Sequence, residues 1–365
     1  MPHFKSLLID DSLSLINRTG AHFIAKDLVQ HFGSRGAVRR WRMFGRRMPD
    51  GLPRKLLARL MLKEMHWLGQ ASAWPWPDVP HAIRLFLDPL YVMRSRLTAN
   101  DIVLCHDIGP VTHPAIYDAG TVEWYSRVYE KLVRCKPGMV FVSRSSQAAF
   151  ASRFGLDFRF QHSIPLYVRN ASVDGPMEAV DGITKPFFLS VGALEKRKNH
   201  RTTMAAFELS RLADAGVSLV ICGSRGDEAV QVAQQAARTP GVRLPGYVSD
   251  AQLRWLYHEA LAFVLPSRLE GFGMPALEAA QYGLIPIVSR DGALNEAIGG
   301  LGLAVDAESP DDIAQALQRV HGLGTDEREA WQARLTAFSQ QATRDKFIYQ
   351  WERLLSAELA SHAHS

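Results

Sequence analysis

Beyond Pro186, short apolar runs recur between stretches of helical periodicity. Residues 187–192, 217–223, 242–244, 261–265, 285–289 and 303–305 read as buried strands. Helices fall between most of them, including 201–212 and 227–237. Short apolar strands alternating with helices predict a parallel, doubly wound sheet covered on both faces. The first half repeats the theme, with strands at 5–10, 102–106 and 139–143 and helices at 20–33, 122–134 and 145–154. Residues 174–185 are polar, acidic and punctuated by Gly and Pro, which predicts the linker. Phe347, Trp351, Leu354 and Leu355 then recur at helical spacing over 343–359. The predicted fold class is α/β, with two Rossmann-like doubly wound domains at 1–180 and 181–342 facing a cleft. A terminal helical segment, 343–365, completes the chain. In sheets of this kind ligands bind outside the carboxyl ends of the strands.

Composition supports a folded chain: 365 residues at 47% hydrophobic content can bury a large core. Cys105, Cys135 and Cys222 are scattered without C-x-x-C spacing, which predicts inert thiols in a reducing compartment and no structural zinc. There is no apolar run of bilayer length. The first apolar run is too short for a signal peptide and ends in Asp10 and Asp11, so the chain is expected in the cytoplasm.

The net charge of +5 is uneven. Between Ser34 and Met65 stand Arg35, Arg39, Arg40, Arg42, Arg46, Arg47, Arg54, Lys55, Arg59 and Lys63, opposed only by Asp50 and Glu64. That stretch nets +8 and leaves −3 for the rest of the chain. Trp41, Met43, Phe44, Leu56, Leu57, Leu60 and Met61 are interleaved, and Trp67 follows. A basic stretch studded with apolar residues suits an anionic membrane surface, with a solvated charged face as the plainer reading. Nucleic acid is not expected, because no nucleic-acid motif accompanies the charge.

Candidate chemistry gathers at the predicted strand ends. In Leu265-Pro-Ser-Arg-Leu-Glu-Gly-Phe-Gly-Met-Pro-Ala-Leu-Glu278, Glu270 is predicted at the end of a strand. Gly271 and Gly273 bracket a turn, Pro275 opens a helix, and Glu278 lies one turn into it. Strand, Gly-rich turn and helix N-terminus form an anion cradle. Two flanking carboxylates would oppose phosphate, but they suit a ligand that carries hydroxyls beside its phosphates. After Gly192, which permits a sharp turn, Arg197 and Lys198 supply fixed cations able to stabilise a diphosphate leaving group. His106 and Asp107 end another strand, where such a pair is either structural or a site group.

These segments resemble the family-4 retaining glycosyltransferases. The E-x7-E signature appears as Glu270 to Glu278, and Gly192-Ala-Leu-Glu-Lys-Arg-Lys-Asn199 resembles the phosphate-binding G-x-x-x-x-R-K-N segment. Cys222–Gly226, Gly246–Asp250 and Ile285–Glu296 resemble further family segments in the same order. His106-Asp-Ile-Gly-Pro110 resembles the H-D-x-x-P element of mannosyltransferase-like members, and Arg18-Thr-Gly20 the glycine loop after the first strand. The chain departs from the pattern with Ala193 where many relatives have Arg, and with Ala21-His22 after the glycine.

The resemblance implies a GT-B fold whose terminal helix returns to the first domain. It implies that Arg197 and Lys198 hold the pyrophosphate and that Glu270 binds hydroxyls of the donor sugar. Backbone N–H groups of Phe272, Gly273 and Met274 would touch sugar and phosphate, Glu278 would bind the ribose, and Tyr247 and Val248 would border the base. His106, with Asp107 beside it, would lie next to the reacting centre, and Gly20 near phosphate and acceptor. The implied activity is metal-independent retaining transfer of a hexose, mannose favoured, from a nucleoside diphosphate sugar such as GDP-mannose. The acceptor would be a glycan or lipid-linked saccharide in polysaccharide or lipopolysaccharide assembly, with the enzyme peripheral on the inner membrane face. No cofactor is expected. The rival readings are a nucleotide-sugar epimerase or hydrolase on the same scaffold, and a non-catalytic subunit recruited to the membrane.

Overall fold

β1 (Leu7–Asp10) opens the first sheet with four consecutive buried residues. The computed structural model describes residues 7–17, 20–45, 47–67, 75–169 and 173–362. Arg18, Thr19, Arg46 and the side chain of Trp67 lie outside the described residues. After β1 come α1 (Leu13–Ile16), α2 (Gly20–Phe32), β2 (Ala37–Arg40), β3 (Met43–Phe44) and α3 (Gly51–Trp67). The first unit continues with β4 (Ile83–Phe86), β5 (Ile102–Cys105), α4 (Gly109–Thr112) and α5 (Ala119–Cys135). It then runs through β6 (Gly138–Phe141), α6 (Arg144–Phe154) and β7 (Phe160–Ser163). Its strands lie in the order β3-β2-β1-β4-β5-β6-β7, parallel throughout except for the β2–β3 pair. Every residue of β4, β5 and β6 is buried, as a sheet covered on both faces requires. Gly138 matters here, because a Cβ on it would sit 2.3 Å from the ring of Phe160 on β7.

The second unit alternates as its pattern dictates. It runs β8 (Phe187–Val191), α7 (His200–Leu209), β9 (Ser218–Cys222), α8 (Ala229–Ala236), β10 (Val242–Gly246) and α9 (Asp250–Glu259). β11 (Ala262–Leu265), α10 (Met274–Gln281), β12 (Pro286–Ser289), α11 (Ala293–Ala297) and β13 (Leu303–Val305) follow, then α12 (Pro310–His321) and α13 (Thr325–Ser339). All six strands are parallel, in the order β10-β9-β8-β11-β12-β13. Two parallel α/β sheets in this arrangement are the GT-B fold.

The units divide at Ile164/Pro165 and again at Arg344/Asp345. Residues 174–185, expected to be the linker, therefore belong to the second unit. Val180 is buried in the second core and Ile183 packs against it. Arg254 Nε donates to Pro176 O at 2.9 Å, and Glu178 N to Ala251 O at 3.2 Å. Two apolar anchors and these hydrogen bonds fasten a segment whose average composition is polar. α14 (Arg344–His362) groups with the first unit from Asp345 onward. Its Glu352 meets His31 Nε2 at 2.8 Å and Arg35 Nη1 at 3.0 Å, and its Glu358 pairs with Arg159.

The basic stretch is also less superficial than its composition suggests. Arg39 is fully buried, with Nε 2.9 Å from Asp10 Oδ2 and further bonds to Pro77 O and Ser95 Oγ. Arg40 is buried too, its Nε 2.6 Å from Asp11 Oδ2. The parallel pairing of β1 with β2 brings these acids to these cations.

Candidate functional site

In the second unit the site begins where β8 and β9 end. Gly223 has φ +157, and a Cβ there would lie 2.0 Å from Gly192 O, so the two strand ends approach as closely as glycine permits. The chain then makes a short 3-10 turn over Lys196–Lys198 and enters α7 through Asn199, whose φ is 60°. Asn199 Nδ2 donates to Pro266 O at 3.0 Å and to Ala307 O at 2.6 Å, fastening this loop to the segments after β11 and β13. His200 Nε2 meets Ala193 O at 3.1 Å, and burial pushes its imidazole down to about 4, so it serves as a neutral brace.

This scaffolding holds Lys198, itself buried, with Nζ 2.5 Å from Glu270 Oε1. Arg197 Nη1 lies 3.1 Å from Glu270 Oε2, and Arg197 Nε 2.6 Å from Glu195 Oε2. Ser267 Oγ donates to Glu270 Oε1 at 3.0 Å. Burial alone would raise the Glu270 carboxyl, but the charges of Lys198 and Arg197 outweigh it and hold the group below the usual range. Burial likewise lowers the Lys198 ammonium, with Glu270 opposing. The two cations and the carboxylate, expected to contact different parts of one ligand, thus engage each other. Glu270 lies in the loop, five residues past the end of β11. Pro266, without an N–H, ends the ladder where the apolar run ends, which leaves Glu270 beyond the strand.

Gly273, at φ +109 with Leu294 Cδ2 2.7 Å from any added Cβ, turns the chain into α10. Gly271 is half-buried, and Phe272 and Met274 are buried. The N–H groups of Phe272, Gly273 and Met274 come at the positive end of that helix. Glu278 is buried as well, its Oε1 2.6 Å from Arg169 Nε and its Oε2 3.2 Å from Tyr257 OH. Burial would lower the Arg169 guanidinium, but Glu278 raises it above its ordinary value. The ribose carboxylate of the resemblance is therefore already answered by a cation. Nothing in the sequence flagged Arg169, which lies 109 positions from its partner. Tyr247 is 82% exposed and Val248 half-buried, just past the end of β10, two strands from β8.

In the first unit, His106 follows β5 and its Nε2 lies 2.9 Å from Leu87 O. A carbonyl only accepts, so Nε2 carries the hydrogen in this contact. Asp107 Oδ1 accepts from Gly109 N at 2.8 Å and starts α4. Asp88, just past β4, is a second group that sequence reasoning missed. It is buried, and its Oδ1 accepts from Leu90 N at 2.8 Å. Burial pushes its carboxyl up to about 6, with His106 opposing and Asp107 adding. The one available signal was an Asp before Pro89 after an apolar run. Gly20 begins α2. Among the described residues, no cluster of three His, Cys, Asp or Glu could hold a metal. No helix there is long and apolar enough to cross a membrane.

Residues 179–334 match the family model described as "Glycosyl transferases group 1". That match lies wholly within the second unit. The O-antigen chain mannosyltransferase B of Escherichia coli is 34% identical over 155 residues, covering 41% of this chain and 39% of the relative. A glycogen synthase of Mycobacterium tuberculosis is 32% identical over 173 residues, covering 46% of this chain and 40% of that protein. The chain thus matches about two fifths of the length of these relatives. Among solved structures, Anabaena HepE in complex with UDP and glucose aligns over 96% of this chain and 99% of its own. Its TM-score is 0.68 at 16% identity. A sucrose-phosphate synthase from Thermosynechococcus elongatus aligns over 97% and 99%, with TM-score 0.67 at 15% identity. At these identities the likeness shows the fold.

Proposed function

We propose that the protein is a retaining family-4 glycosyltransferase that moves mannose from GDP-mannose to a glycan or lipid-linked saccharide in polysaccharide or lipopolysaccharide assembly. The carrying observation is the Arg197–Lys198–Glu270 cluster within a glycosyl transferases group 1 domain. Two fixed cations can take the charge that develops on a departing diphosphate, so the positive charge need not come from a metal. Glu270, released from part of that pairing by the phosphates, accepts hydroxyls of the donor sugar in charge-assisted bonds. Glu278 takes the ribose once Arg169 yields, the N–H groups of residues 272–274 hold sugar and phosphate, and Tyr247 and Val248 border the base. His106, oriented by Leu87 O, and Asp107 act on the sugar being transferred, and Gly20 serves phosphate and acceptor. The acceptor hydroxyl attacks on the leaving-group face and the departing phosphate takes its proton, so no protein nucleophile is needed.

Mannose is favoured by the E. coli relative, whereas the Anabaena structure contains UDP and glucose. The deciding experiment is a thermal-shift and transfer screen with GDP-mannose, UDP-glucose and dTDP- and ADP-sugars, read by NMR for the anomer formed, with and without chelator. GDP-mannose alone should raise the melting temperature and give α-linked product. A donor hydrolysed or epimerised without acceptor, or K198A with undiminished turnover, would overturn the reading. We place the enzyme at the inner face of the cytoplasmic membrane, where a lipid-linked acceptor is within reach.

A further inference from the structure

α3 has two faces. Met61 and Met65 are buried, Leu57 and Ala58 half-buried, and Glu64 is held by Arg42 Nη2 at 2.8 Å and Trp76 Nε1 at 3.2 Å. On the opposite face Leu52, Leu56 and Leu60 are 81%, 59% and 43% exposed. Lys55, Arg59 and Lys63 are exposed on the same face, without ion pairs among the described residues. Both triplets step by four residues, so they form adjoining ridges along the helix, one apolar and one basic. Glu64 is the sole acidic residue within Gly51–Trp67, and it is already engaged. Beside this helix, edge strand β3 adds Phe44, 48% exposed.

We propose that this outward face of α3 docks the first unit on an anionic lipid bilayer, with the helix axis lying along the surface. The leucines would enter the boundary of headgroups and acyl chains while the cations meet lipid phosphates. A convex ridge of leucines needs no preformed groove in a fluid surface. A second copy across a two-fold axis would set Lys55, Arg59 and Lys63 against like charges, which disfavours self-association. The proposal names the element behind the membrane contact suggested above, and it uses no residue of the donor site.

The test is sedimentation with vesicles of pure phosphatidylcholine and of phosphatidylcholine with 30% phosphatidylglycerol. Wild type should bind the anionic vesicles at least tenfold more tightly, and 0.5 M NaCl should weaken that binding. L52S/L56S/L60S and K55Q/R59Q/K63Q should each lose tenfold or more while keeping the wild-type melting temperature and GDP-induced shift. Equal binding to both vesicle types, no binding, or unaffected variants would overturn the proposal. So would a dimer in size-exclusion chromatography that the leucine variant dissolves. Because the nucleotide shift is read separately, a wrong donor assignment leaves this outcome intact.

Discussion

Glu270 and Lys198 form a buried pair whose members each keep the other charged. Taking two charges out of water is costly, and removing one partner leaves the other uncompensated. K198M and E270M should therefore each lose roughly 3 kcal/mol of stability. The K198M/E270M double variant should lose less than the sum of the two, because neither charge is then stranded. Urea unfolding of the four proteins measures the coupling, and strict additivity would show the pair is not energetically linked. The types and order of these residues were legible in the sequence. Their mutual pairing was not, since it depends on a loop fastened by Asn199 to two other strand ends.

At the level of elements, the segment from the end of β4 into the turn at Pro89–Arg94 sets a pH dependence. Asp88 caps that turn, and its folded-state value of about 6 is above the ordinary carboxylate value. From about pH 4 the unfolded chain ionises this group while the folded chain keeps its proton until about 6. Stability should fall as pH rises through that window and level off above it, by roughly 3 kcal/mol at most. D88N keeps the cap but removes the titration, so at pH 7 it should be more stable than wild type and show a flatter profile. Thermal melts from pH 4 to 7.5 check this; parallel wild-type and variant curves would refute it. β4 itself went unread, as did β2, β3 and β7. β2 is written with two arginines, and β7, Phe-Gln-His-Ser, has a single apolar residue and no buried position. Their place in the sheet comes from their neighbours.

For the whole molecule, two units each carry a hydrophobic interior, so unfolding need not be a single step. GDP bound to the second unit at 100 times its Kd should raise that unit's unfolding free energy by about 2.7 kcal/mol. The first unit's own opening should be unchanged. Hydrogen exchange resolved along the chain reads both, and equal protection of 7–164 and 187–339 would count against the second unit as the main holder of the nucleotide. The distribution of charge also changes at this scale. Among the described cations of the +8 stretch, Arg39 and Arg40 are buried and neutralised by Asp10 and Asp11, whereas Lys55, Arg59 and Lys63 of α3 are exposed.

The sequence by itself determined the alternating strand-helix order and parallel sheet of the second unit, the turn at Gly192 with Arg197 and Lys198 in the loop after it, and the place of Glu278 one turn into a helix. Those features follow from local periodicity and from glycine and proline, which act within a few residues. Only the tertiary structure decided that Glu270 closes on Lys198, that Arg169 occupies Glu278, and that Asp88 lies beside His106. It also decided that Arg39 and Arg40 are interior while Leu52, Leu56 and Leu60 are not. Electrostatic pairing and burial join residues tens to a hundred positions apart, and no local pattern records which distant group will arrive.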